Sequence, residues 1–393
     1  MAAGCGGGQA SVEDNSAAEF VTVGADGRFH RGDSVYRFEG ANFWAAPILA
    51  SEGQGGDRDR LHRELDRLQE RGVSNLRVLV GAQSRKRGEC LLKPQLVTAP
   101  GVYNDTLLAG LDYLMAELER RDMTAVLYLN NAWEWSGGYG SFIEWAGGGD
   151  NILPNIDGYR EYCDYAAGFL RNDSAKALFA DYVADIVPRY ASSPALMSWQ
   201  ICNEPRPYGR TEEQTELFVD WIASTARLIK ELDPNHMVST GSEGYVGCEM
   251  SLDLWERIHA LPEVDYATIH IWPTNWGWVA RHEATDSVER AIAMTDEYIT
   301  EHSAVARRLG KPLVLEEFGY PRDNQSIDPA DPTTARDAYY SHIIGAFRSD
   351  SLTLSGYNFW AWGGEGTPGV TYTGDPAHEP QGLFSVFATD KAY

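Results

Sequence analysis

Eight short apolar runs alternate with segments whose leucines recur at helical spacing, and that alternation constrains the fold more than any other feature of the chain. The strand-like runs are Ser34 to Phe43, Asn75 to Val80, Thr124 to Leu129, Ala195 to Ile201, Met237 to Ser242, Tyr266 to Trp272, Pro312 to Phe318 and Gly356 to Trp362. Phe20 to Phe29 is a further extended segment, set off from the first run by glycine-rich turns. Between the runs, Leu61, Leu65 and Leu68 mark a helix over Asp57 to Gly72, and Leu107, Leu111, Leu114 and Leu118 mark another over Asn104 to Asp122. Helical spacing returns around Leu178, Tyr182 and Ile186, over Thr211 to Leu232, Leu252 to Ala260, Ser287 to Leu309 and Thr334 to Phe347. Strands separated by helices pair in parallel, and eight such units close into a (β/α)8 TIM barrel rather than an open sheet.

A barrel of this kind accommodates 393 residues without splitting, so residues 19–393 are expected to be one domain. Residues 1–18, rich in Gly, Ala and Ser with little to bury, read as a flexible leader. Within it, Ala2 to Gly8 around Cys5 is similar to the tail of a bacterial lipoprotein signal with its apolar segment missing, and a plain glycine-rich leader is the alternative. The lipoprotein reading implies an extracellular, cell-surface or periplasmic location. No apolar run is long enough to span a bilayer. The tail, Gly363 to Tyr393, is expected to fold back on the barrel without a full helix.

Acidic residues outnumber basic ones by 57 to 33, for a formal charge of -24, which argues against a nucleic-acid or anionic-membrane partner and favours a neutral substrate. The five cysteines show no CxxC pairing and no histidine at zinc-like spacing, so neither a metal nor another cofactor is expected. Cys202 reads as a small buried hydrophobe, and the pairing of Cys90, Cys163 and Cys248 is left open. Twelve Trp and twenty Tyr supply flat apolar faces of the kind that pyranose rings stack on.

The fourth run stops at Asn203-Glu204-Pro205-Arg206, because proline cannot continue a ladder, and this leaves a carboxylate at a strand's C-terminal end. The seventh run ends likewise at Glu316-Glu317-Phe318-Gly319. In a parallel barrel these ends share the face where active-site groups gather, and two carboxylates facing each other there suit glycosidic hydrolysis. Side chains alternate along a strand, so only one of Glu316 and Glu317 is expected to point into the barrel mouth. Arg77, inside the second run, needs a buried carboxylate partner, and an ionised Glu317 would be one, with a strand-edge arginine capping a helix from outside as the alternative. His270 on the sixth run suits orienting a carboxylate or a hydroxyl, with a satisfied core histidine as the alternative; Trp360 suits a stacking floor, with core packing as the alternative.

These residues together resemble glycoside hydrolase family 5 and, within it, the mannan-cleaving branch. The resemblance rests on Leu76-Arg77-Val78, Asn130-Asn131 and Trp133, Asn203-Glu204-Pro205-Arg206, His270, Glu317-Phe318-Gly319 and Phe359-Trp360, and it spans nearly everything from Phe20 onward. It implies a retaining mechanism without metal, with Glu204 as acid/base, Glu317 as nucleophile and Asn203 on the substrate 2-hydroxyl. Arg77, Asn131, Trp133, His270, Trp272 and Trp360 are then expected to bind or support the substrate, a β-mannan or a manno-oligosaccharide. Many members carry Tyr where this chain has Trp272, and an indole N–H donates but cannot accept.

The expected activity is secreted endo-β-1,4-mannanase; the alternatives are an exo-acting β-mannosidase, a β-1,4-glucanase and a barrel that binds sugar without cutting it. A metal-dependent amidohydrolase is disfavoured, since the first run ends in Ala41-Asn42-Phe43-Trp44 without a His-x-His pair. The long excursion from Trp133 to about Tyr165, with Trp135, Tyr139, Phe142, Trp145 and Tyr159, is expected either to wall the sugar sites or to pack beneath itself, and Asn275, Trp276 and Trp278 to supply another wall.

Overall fold

The computed structural model describes residues 19–89, 91–366, 374–376 and 379–390. Its centre is an eight-stranded parallel sheet: β1 (Phe38–Asn42), β2 (Asn75–Leu79), β3 (Thr124–Tyr128), β4 (Leu196–Gln200), β5 (Met237–Ser239), β6 (Ala267–Ile271), β7 (Leu313–Phe318) and β8 (Gly356–Phe359). Ladders run in the order β5-β4-β3-β2-β1-β8-β7-β6. The remaining seam, between β5 and β6, is closed by other bonds: Asp265 donates its amide to the Val238 carbonyl at 2.9 Å, and His270 donates its amide to the Glu243 carbonyl at 3.1 Å.

The helices begin and end where local chemistry stops them. In α1 (Arg58–Glu70) the Asp57 side chain accepts from the Arg60 amide, and in α2 (Asp105–Arg120) Asn104 accepts from Leu107. Asn172, Thr211 and Ser251 cap α3 (Asp173–Ile186), α4 (Glu212–Leu232) and α5 (Leu252–His259) in the same way. α6 (Val288–Leu309) ends at Gly310 in the left-handed region, φ 69°, a conformation that costs glycine little. α7 is Thr334–Arg348. Each helix turns its apolar stripe to the sheet; Leu61, Leu65 and Leu68 of α1 are completely buried, which stabilises the fold by roughly 1.5–3 kcal/mol per side chain relative to exposure.

The long first run divides. Only Phe38–Asn42 enters the barrel, while Ser34–Val35 joins Val21–Val23 and Phe29–Arg31 in a three-stranded antiparallel sheet. Val21 and Phe29 of that sheet pack on Phe38, Val126, Met197, Met237, Tyr266 and Val314, closing the N-terminal end of the barrel. The last run also divides: after β8, Trp362–Gly364 pairs with Val386–Phe387, which returns the C-terminal segment to the barrel with no helix after β8 among the described residues. Arg336 of α7 anchors that segment by donating to the Leu383 and Ser385 carbonyls, each at 2.7 Å.

No helix among the described residues is long and apolar enough to cross a membrane. Cys163, Cys202 and Cys248 are free thiols; Cys5, Cys90 and the leader lie outside the described residues.

Candidate active site

At the C-terminal ends of the strands lies a cavity of about 380 Å³ lined by Glu204, Glu317, Asn203, Trp133, Trp272 and Trp360 among others. The Asn-Glu-Pro corner puts Glu204 there at the cost of backbone strain: its φ is +51°, a left-handed value that non-glycine residues rarely adopt, and its amide is held by the Gly241 carbonyl at 2.9 Å. Trp133 donates its indole N–H to Glu204 Oε2 at 2.5 Å, and His270 Nδ1 lies 2.9 Å from Glu204 Oε1. One oxygen from each of Glu204 and Glu317 lies within 4.8 Å of the other.

The Arg77 guanidinium is completely buried and fully engaged. Nη1 donates to Glu317 Oε1 at 2.5 Å and to Asn42 Oδ1 at 3.1 Å, and Nη2 to Asn203 Oδ1 at 2.7 Å. Nε and Nη2 share Gln200 Oε1 at 3.0 and 2.6 Å, and the group lies over the Tyr128 ring at 4.6 Å. Four strands thus supply its partners, and the charge that Arg77 needs is Glu317.

Trp272 Nε1 donates to Glu317 Oε2 at 3.2 Å, so the indole makes a contact with Glu317 despite having no hydroxyl. Its larger ring is accommodated because Gly319 has no side chain: a Cβ there would stand 2.5 Å from Trp272 Cζ3. Trp360 and Phe384 hold the indole edge-on at 5.9 and 5.1 Å between centroids.

Glu316 and Glu317 do not simply alternate. Along the β6–β7 ladder Ile269 pairs with Leu315 and His270 with Glu317, so Glu316 is an extra residue in β7. Such a bulge resets the alternation of side chains. Glu317 alone lines the cavity, as expected, but Glu316 is not turned out toward the helices: it lies beneath the site, completely buried, with Gln200 Nε2 donating to both its oxygens at 2.7 Å.

Arg77, Asn131 and His270 do not line the cavity; they hold residues that do. Asn131 accepts from Asn203 Nδ2 at 3.1 Å and from the Trp133 amide at 3.0 Å, which fixes both residues at the rim. The excursion after β3 divides between the two expected roles. Tyr139 and Phe142 are completely buried and pack on Phe169, whereas Trp133, Trp135 and Tyr159 reach the cavity. Asn275 and Trp276 line it as well. Trp278 packs against Trp276 and Tyr298, at 5.0 and 5.6 Å.

Sequence reasoning missed Glu243, Pro376 and Glu379, which line the cavity, and Asn42 and Gln200 below it. Glu243 pairs with Arg206, whose guanidinium lies over the Trp133 ring at 5.0 Å. Burial pushes the Glu243 carboxyl up to about 8, against the pull of Arg206 and with a further push from Glu204. Burial likewise raises Glu204 and Glu317; Arg206 and the Trp133 N–H pull the former back, and Arg77 opposes the rise at the latter.

The model for GH family 5, beta-mannosidase-like, matches residues 18–393. A glycoside hydrolase family 5 mannosidase from Rhizomucor miehei superimposes with a TM-score of 0.87 at 33% identity, covering 96% of this chain and 95% of that one. A mutant of the Rhizomucor enzyme in complex with mannosyl-fructose gives 0.85 at 33% identity, with 96% and 95% covered. A putative mannan endo-1,4-β-mannosidase 9 of Oryza sativa subsp. japonica is 30% identical over 278 residues, 67% of this chain and 64% of that protein. Probable mannan endo-1,4-β-mannosidase A of Aspergillus oryzae is 26% identical over 266 residues, 65% and 58%. The chain therefore spans less than two thirds of the length of these curated relatives. With a family match over nearly its whole length, the chain belongs to glycoside hydrolase family 5, in the β-mannosidase-like group.

Proposed function

We propose that this protein hydrolyses β-1,4-mannosidic linkages with retention of anomeric configuration, cutting within mannan or manno-oligosaccharide chains. The observation that carries the reading is the carboxylate pair: oxygens of Glu204 and Glu317 within 4.8 Å leave no room for the water that an inverting enzyme must hold, while retaining enzymes place the pair about 5–5.5 Å apart. Glu317 attacks the anomeric carbon as Glu204 protonates the leaving oxygen; Glu204 then deprotonates the water that hydrolyses the glycosyl-enzyme.

Two buried carboxyls this close share one proton. We place it on Glu204, although burial pushes Glu317 harder, because the guanidinium of Arg77 is buried, permanently charged and only 2.5 Å from Glu317. Glu317 therefore stays ionised as the nucleophile, and Trp272 steadies the same charge. Asn203, aimed by Arg77 and Asn131, faces the 2-hydroxyl, and Trp360 forms the floor beneath the reacting sugar.

Hydrolysis of mannan, cellulose and xylan side by side tests the substrate class, mannan being the one cut fastest. The internal mode is supported by the endo-acting curated relatives. A second reading, release of mannose from chain ends, is favoured by the confined cavity, into which Pro376 and Glu379 reach from the C-terminal segment. Viscosity and reducing ends followed together on soluble mannan separate the modes. An early fall in viscosity supports internal cutting; mannose as sole first product with viscosity preserved supports the second.

A further inference from the structure

We propose that Glu316, which touches no substrate, is a positioning residue that selects the tautomer of His270 and thereby keeps the catalytic proton on Glu204. The proposal rests on the roles given above to Glu204 and Glu317. A neutral imidazole has one N–H and one lone pair, and in this site each ring nitrogen faces a carboxyl group. Nδ1 lies 2.9 Å from Glu204 Oε1; Nε2 lies 3.7 Å from Glu316 Oε2 and has no hydrogen-bond partner among the described residues. The ring is completely buried, and burial holds its pKa at about 4, so it is neutral at working pH.

Two arrangements exist. With the proton on Nε2, the N–H points at the Glu316 carboxylate, and the Nδ1 lone pair accepts a hydrogen bond from protonated Glu204. With the proton on Nδ1, the ring donates to Glu204, which favours the ionised form, and the Nε2 lone pair is left facing the lone pairs of Glu316. Glu316 decides between them because both its oxygens are fixed as acceptors by the Gln200 amide, each at 2.7 Å. The same amide orientation directs Gln200 Oε1 at Arg77, so one buried carboxylate aligns the supports of both catalytic groups. The bulge in β7 is what makes this possible, since it turns Glu316 inward directly before Glu317.

Other charged and titratable groups also bear on the pair. Arg77 on β2, Arg206 after β4, Glu317 on β7, Glu243 after β5 and Glu379 of the C-terminal segment act on Glu204, while Tyr128 lies against Arg77 and Tyr266 lies near Glu316. Glu317 Oε2 also stands 3.5 Å from His270 Nδ1 and draws the ring proton to that side, against Glu316 at Nε2. Nε2 has no hydrogen-bond partner among the described residues, so the change of tautomer on replacing Glu316, rather than the tautomer alone, is the readout specific to it.

The test is Glu316→Gln. Gln200 Nε2 still requires an acceptor, so the new amide presents its oxygen there and its N–H to His270 Nε2, reversing the tautomer. In the full-length protein labelled with 15N-histidine, the His270 shifts, assigned by their loss in His270→Gln, are expected to report the Nε2–H form in the wild type and the Nδ1–H form in Glu316→Gln. In parallel, the alkaline limb of kcat/KM on manno-oligosaccharides is expected to fall by about one pH unit, because a donated hydrogen bond lowers the Glu204 pKa. Above both limbs this is a loss of about tenfold, and a dinitrophenyl mannoside, whose leaving group needs no proton, shows much less. The double variant Gln200→Glu, Glu316→Gln keeps the buried charge but puts an acceptor where the Gln200 amide stood, so the amide at position 316 turns its N–H there and its oxygen to His270 Nε2, and the Nε2–H form is expected to return.

An Nδ1–H wild type, or the same tautomer in both proteins, overturns the proposal, and the wild-type spectrum decides even if the variant does not fold. Because the spectrum needs no turnover, absence of mannan hydrolysis with the expected tautomers would overturn only the functional reading.

Discussion

Replacing Trp272 by Phe tests the electrostatics of Glu317 directly. Among the described residues, the Trp272 indole N–H and the Arg77 guanidinium are the side chains that donate to this carboxylate. A hydrogen bond to a charged group contributes about 1.5–3 kcal/mol. At 3.2 Å this one stands at the long end of the N–H···O range, so the lower figure of about 1.5 kcal/mol applies. Its loss destabilises only the ionised form and raises the Glu317 pKa by about one unit, at 1.36 kcal/mol per unit. The nucleophile works ionised, so the acid limb of kcat/KM moves upward by about one pH unit; below that limb the rate falls about tenfold. The alkaline limb, set by protonated Glu204, stays where it was. Phe also leaves space between Trp360 and Phe384, which costs about 1–2 kcal/mol of stability, while Trp272→Tyr returns a donor and recovers most of the shift. The assay is kcat/KM against pH on an aryl mannoside, whose rate depends on the nucleophile. An unmoved acid limb with a uniform loss of rate would refute the reasoning, because it would make Trp272 a packing residue only.

Glu204→Ala is expected to abolish hydrolysis of mannan but to leave glycosylation by a dinitrophenyl mannoside nearly intact, with the intermediate accumulating as a burst; equal losses on both substrates would remove Glu204 from the acid role. Arg77→Met leaves Glu316 and Glu317 buried without a cation and should cost about 3–5 kcal/mol in denaturant unfolding as well as activity; a variant of wild-type stability would contradict the buried pairing.

How far the sequence could be read depended on whether each feature was local. The strand ends were legible because Pro205 and Gly319 mark corners, and the helix starts because Asp57, Asn104 and Thr211 are good caps. The placing of Glu204 and Glu317 on one face, and the link of Glu317 to Arg77, followed from barrel topology, which brings strand ends together. What stayed hidden depends on pairings between strands. The bulge at Glu316 is visible only against the register of β6, and without it alternation would send that side chain outward. Gln200 and Asn42 read as ordinary strand residues, since nothing near them in the chain indicates Arg77. Tyr139 and Tyr159 are both aromatics of one excursion, yet one packs beneath it and the other faces the cavity; the difference comes from Phe169, which stacks on Tyr139 at 4.5 Å, and Trp221, which meets it edge-on at 5.5 Å.

The central claim is that Glu317 forms a covalent bond to the sugar, and trapping that bond tests it most directly. A 2-deoxy-2-fluoro mannosyl donor with a good leaving group forms the intermediate readily and slows its hydrolysis, and proteolysis with mass spectrometry then locates the sugar. The expected result is one adduct per chain on Glu317, reactivated on adding a sugar acceptor, with the β-anomer as first product of normal turnover. An adduct on Glu316, or no adduct together with an inverted first product, would contradict the account.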